Sequence, residues 1–259
     1  GTPGVLQTLK AALVFQIKDN VGADAIRRRE HELTSRAMQT WSEHGGIEIL
    51  GTPDPASRIA IISFNIRCAT GKYLHHKLVT ALLNDLFGIQ SRAGCSCAGP
   101  YGHRLLGIDS DVSERYRHAV QDGHCGIKPG WCRIGFHWVM DDLEADYVID
   151  AVRFIADHGH RFTSLYGFDL ATGTWTHRQA VDDLPEFSLD AALRSEADEP
   201  AILTTALRNQ LYEHYLAEAR RIAESLEVRV SDSSTLPSTV LEDLRFFTLP
   251  DGSLPRADN

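Results

Sequence analysis

Lysine and cysteine are both scarce in this chain, and no apolar run approaches the ~18 residues that a membrane-spanning helix needs. Five cysteines, an odd number spread over 259 residues, are too few for a secreted disulfide scaffold. Basic residues are outnumbered: 26 Lys and Arg against 35 Asp and Glu leave a formal charge of −9. That balance argues against broad binding to nucleic acid or to an anionic membrane. Gly1-Thr2-Pro3-Gly4 has no basic segment followed by an apolar stretch, so no signal peptide is expected and a reducing cytoplasm is the expected compartment. No internal repeat is visible. What is present is ordinary for a soluble globular protein, 43% hydrophobic and 24% charged, and long enough for one large domain or two modest ones.

Apolar spacing predicts a helix over Val5–Asn20, with Leu6, Leu9, Leu13 and Ile17 on one face. It has no partner ahead of it in the chain, so this stripe must pack on later elements, on a second copy or on a further domain. A second helix is expected over Ala23–His44, amphipathic through Ile26, Leu33, Ala37 and Trp41, and ended by Gly45-Gly46. Ile47–Leu50 reads as a short strand and Arg58–Ile66 as a buried one. Tyr73–Phe87 is expected to be helical, and Gly88–Arg92 leads through a short strand into a loop bearing glycine and cysteine. Trp131–Trp138 reads as a strand, and Asp141–His158 as a helix whose acidic start suits the helix dipole. The expected fold is α+β: a small, mostly antiparallel sheet with helices packed on one face. Beyond His160 the pattern changes to a hairpin (Tyr166–His177), an acidic loop, a long helix (Pro200–Leu226) and a polar, partly mobile tail from Ser231. The division expected is a terminal segment and helix over 1–22, a main α+β domain over 23–160 and a helical extension over 161–259.

Three stretches carry more than structure. Gly1-Thr2-Pro3 precedes the apolar helix; Arg92-Ala93-Gly94-Cys95-Ser96-Cys97-Ala98 forms the cysteine loop; Gly130-Trp131-Cys132-Arg133-Ile134-Gly135-Phe136 sets an arginine on an apolar strand. In order and approximate spacing these resemble the C-terminal part of the class V aminotransferase / cysteine desulfurase family of fold-type-I, pyridoxal-phosphate (PLP)-dependent enzymes. The likeness extends over residues 1 to about 158. It implies the small C-terminal domain of such an enzyme, in which Arg133 binds the substrate carboxylate and Arg92 faces the same pocket. It also implies that Cys97 stands where the desulfurases carry their persulfide-forming cysteine. Thr2 would donate to the cofactor phosphate of a neighbouring subunit, making the protein a homodimer with shared active sites.

The family's aldimine lysine lies upstream, in a Ser/Thr-x-His-Lys context that this chain lacks. Its lysines are Lys10, Lys18, Lys72, Lys77 and Lys128, and His76-Lys77 falls inside a helical pattern. PLP is therefore expected in the full-length parent and no covalent PLP on this chain. Read without the family, Arg133 needs an anionic partner on its apolar strand, either a structural carboxylate or a ligand's. Arg92 suits loop stabilisation nearly as well, and Thr2 suits a helix-leading turn. Cys95 and Ser96 depart from the histidine-containing desulfurase loop, as does Tyr101-Gly102-His103-Arg104, so desulfurase and aminotransferase chemistry both stay open. Two rival readings are a non-catalytic interaction domain docking through residues 5–20, and a zinc module drawn from Cys95, Cys97, His103, His124, Cys125 and Cys132. The latter lacks the common C-x2-C spacing, and no metal is expected. His31, His75, His118 and His158 read as surface residues on helix faces.

Overall fold

The computed structural model describes residues 3–95, 99–180, 188–194, 203–227 and 235–250. Helices α1 (Val5–Val21) and α2 (Ala23–Ser42) meet at Gly22, whose φ of 86° is the left-handed region that glycine tolerates. There follow β1 (Ile47–Leu50), β2 (Ile61–Ile66), α3 (His76–Phe87), β3 (Arg92–Gly94), α4 (Gly99–Leu105), α5 (Ser110–Gln121), β4 (Trp131–Gly135) and α6 (Asp142–His158). The strands form one sheet in the order β1-β2-β4-β3, every pair antiparallel. The expected α+β fold is what the chain adopts.

Side chains alternate across the sheet, so period two divides the strands into a dry and an open face. Ile62, Phe64, Ile66, Cys132 and Ile134 are buried together with Leu78 and Leu82 of α3 and Val152 and Ile155 of α6. Trp41 of α2 closes this core, its ring 5.3 Å from that of Phe64 and its Nε1 donating to the Ile149 carbonyl at 3.2 Å. Local chemistry sets the helix ends. Asp109 and Asp141 cap α5 and α6 by accepting the N–H groups of Val112 and Glu144. Gly88, at φ 65°, ends α3.

Three departures from the sequence pattern matter for function. First, α3 begins at His76 and not Tyr73, because Tyr73 stays extended and His75 caps the helix by accepting the Lys77 N–H on Nδ1. Second, the stretch between the cysteine loop and Trp131, where the pattern marks no element, folds into α4 and α5. Third, residues 235–250 do not behave as a polar tail. After the hairpin β5 (Tyr166–Asp169) and β6 (Thr174–His177), α7 (Leu189–Arg194) and α8 (Thr205–Ser225), they form α9 (Thr239–Leu244) and an extended stretch. The Tyr73 N–H donates to the Phe246 carbonyl, and the Thr248 N–H donates to the Tyr73 carbonyl, at 3.0 Å each. Leu236, Leu241, Leu244, Phe247 and Leu249 are buried against the main core. By contrast α1 buries no residue: Leu6, Leu9, Leu13 and Phe15 all lie exposed.

Candidate active site

The antiparallel register brings Arg92 directly opposite Arg133, and Arg133 directly opposite Ser63, so the three form one row across β3, β4 and β2. Opposed residues share a face, and this is the face away from α3 and α6, since the intervening Cys132 and Ile134 fill the core. Directly paired positions bring their Cβ atoms to about 4.5–5.5 Å, where like charges repel. Arg133 is half-buried and Arg92 exposed, and neither guanidinium makes a hydrogen bond or ion pair with any described residue. A carboxylate or phosphate oxygen would relieve both, and the planar fork of arginine suits a bidentate carboxylate. Both arginines also line a cavity of about 620 Å³ at the edge of the sheet, walled further by Gln90, Met140, Glu144 and Tyr212.

Trp131, two residues before Arg133, opposes Gly94 on the same face. Its indole is 3% exposed, and a Cβ placed on Gly102 would stand 3.1 Å from the ring, a tight contact that glycine avoids where α4 lies against it. From Trp131 a second cleft, about 470 Å³, runs between α4 and α5. Its walls include Cys95, which is half-buried, and His103, whose Nδ1 shares a 3.0 Å hydrogen bond with Ser113 Oγ.

Cys97 and Thr2 lie outside the described residues. Of the other cysteines, Cys132 is buried, donates its thiol to the His76 carbonyl at 3.1 Å, and has its pKa raised by burial, which makes it a packing residue. Among the described residues no three His, Cys, Asp or Glu side chains gather as a metal site would require.

The structure corrects the reading of His75 as a surface residue. His75 and His76 are 1% and 4% exposed, their rings stacked with centroids 4.3 Å apart and covered by Phe246 and Phe247. The His75 Nδ1 accepts the Lys77 N–H and its Nε2 donates to the Gly126 carbonyl, which fixes the neutral tautomer. Burial holds His76 down to about 3, with Lys77 adding to the effect. Lys77 itself donates Nζ to the Thr172 carbonyl at 2.8 Å, tying α3 to the turn of the β5–β6 hairpin. No periodicity marks this pair, because what covers it comes from residues 126, 168, 175 and 246–247.

Comparison with known proteins now decides the family. The family model described as aminotransferase class-V matches residues 1–148, more than half of the chain. The chain belongs to the class V aminotransferase family. A probable cysteine desulfurase of Staphylococcus aureus (strain Mu50) is 36% identical over 100 residues, covering 39% of this chain and 22% of that protein. A probable cysteine desulfurase of Halobacterium salinarum is 32% identical over 112 residues, or 43% and 25% of the two chains. This class V chain therefore spans about a quarter of the length of the curated relatives it matches. The family is one of PLP-dependent enzymes. Among the described residues no helix is long and apolar enough to cross a membrane.

Proposed function

We propose that this chain is the C-terminal, substrate-binding part of a PLP-dependent enzyme acting on an amino acid, in which Arg133, helped by Arg92, receives the α-carboxylate. The observation that carries this reading is the direct pairing of Arg92 with Arg133 across β3 and β4, with neither guanidinium bonded to a described residue. A fold does not keep two like charges opposite each other for stability, and a bound carboxylate turns the repulsion into two charge-assisted contacts. The described residues do not fit the cofactor itself. Of the described lysines, Lys77 has its ammonium engaged on the Thr172 carbonyl, Lys72 pairs with Glu242, and Lys10, Lys18 and Lys128 are exposed. The aldimine lysine and the partners of the cofactor ring are assigned to the part of the relatives' length that this chain does not span.

The exposed apolar side of α1 supports a surface covered in the full-length protein, by its remaining domain or by a second subunit. The homodimer and the role of Thr2 belong to the same proposal. In the full-length protein, Arg133→Ala should lower kcat/KM for the amino-acid substrate by about 100-fold, while cofactor absorbance stays in place. An unchanged kcat/KM would place Arg133 among structural residues. Sulfide release from cysteine, with and without Cys97→Ser, separates desulfurase from aminotransferase chemistry.

A further inference from the structure

We infer that the cleft between Trp131 and helices α4 and α5 is the subsite for the substrate's side chain, and that the side chain it takes is aromatic. This rests on the reading of Arg133 as the carboxylate site. Trp131 and Arg133 share one face of β4, and two residues of strand separate them by about 7 Å. An amino acid whose carboxylate lies in the Arg133 fork has the indole within reach of its side chain along the same face of β4. The cleft that opens there is walled by Leu106, Tyr116, Val120, Pro129 and Trp131. Its volume of about 470 Å³ falls within the range of ligand pockets, far more than a thiol would fill.

Charge narrows the occupant further. Among the described residues no carboxylate lines the cleft, and its lysine and arginine are Arg117, which is already paired with Glu114, and Lys128, which is exposed. A cationic side chain would meet repulsion without a counter-charge, and a small polar one would leave the apolar wall wet. A flat aromatic ring fills the space and faces an indole whose position α4 fixes through Gly102.

The test uses the isotope-labelled chain and NMR, following the Trp131 indole and the Leu106 and Val120 methyls for the cleft, and the Arg133 and Arg92 guanidinium signals for the carboxylate site. The probes are L-phenylalanine, L-alanine and 3-phenylpropanol. L-phenylalanine is expected to move both sets, alanine only the arginines and phenylpropanol only the cleft. Val120→Phe and Leu106→Phe, each placing a ring in the cleft, should weaken phenylalanine about tenfold without altering the response to alanine. Either variant suffices if the other misfolds. Cleft signals that ignore both aromatic probes while the arginines respond to carboxylates would overturn the inference and leave the carboxylate reading standing. Cleft signals that move while no carboxylate touches the arginines would refute the carboxylate reading, and with it the assignment of the cleft to substrate.

Discussion

Phe247→Ala should destabilise this chain as severely as a deletion in the middle of the main core, although Phe247 lies about one hundred residues beyond the family-matched part. Its ring is fully buried. It meets His75 edge-on at 4.6 Å, Phe168 at 5.3 Å and Phe246 at 5.1 Å. Its carbonyl accepts a 2.8 Å hydrogen bond from the Arg245 guanidinium, and its backbone bridges Tyr73 in parallel. Truncating a buried phenylalanine costs about 3–5 kcal/mol, made up of lost apolar burial and an unfilled cavity. The aromatic contacts here, roughly 0.5–1.5 kcal/mol for a pair, place the expectation in the upper half of that range. Against a typical total stability of ~5–15 kcal/mol this is a large fraction. Urea unfolding followed by far-UV circular dichroism measures it, with Val240→Ala, 54% exposed on α9, as a control that should move stability by less than about 0.5 kcal/mol. A loss below about 1 kcal/mol for Phe247→Ala would refute the docking of 235–250 on α3 and the hairpin.

The buried histidines predict an acid limb. His76 is held near 3 in the fold, below its ordinary 6.5, so its stabilisation is present above about pH 6.5 and is lost as pH falls toward 3. Between pH 6.5 and 4.5 the loss from His76 reaches about 2 kcal/mol, and unfolding curves of His76→Phe should show a shallower pH slope over that window. Equal slopes would mean that the pair is not buried neutral. Gly130→Ala should cost about 1–3 kcal/mol, because its Cβ would stand 2.8 Å from the Gly94 Cα and from the His76 Nε2. It should also displace β3 from β4 and weaken carboxylate binding at Arg133, which titration with alanine would read. Leu9→Lys with Leu13→Lys should leave unfolding stability within about 0.5 kcal/mol, since α1 buries no residue, while reducing self-association in sedimentation.

Much of the architecture is legible in the sequence because its signals are local. Helix periodicity, the Gly88 stop, the acidic start of α6 and the alternation of β2 and β4 each depend on a few neighbouring residues, and they place Arg133 on a strand without any knowledge of partners. The pairing of Arg92 with Arg133 is different. It follows from β3 joining the sheet beside β4 and not beside β2, its predecessor in sequence, a choice made by where α3 delivers the chain. The cleft beside Trp131 likewise exists only once α4 lies against the indole. In residues 235–250 the leucines and Phe247 are interspersed with serine, proline and acids, so composition points to solvent, whereas burial is supplied by Tyr73, the hairpin and the stacked histidines. Local sequence sets what each segment can form. Which surfaces become buried, and which two charges face each other, is decided by distant partners, because apolar burial and charge pairing are properties of contacts and not of segments.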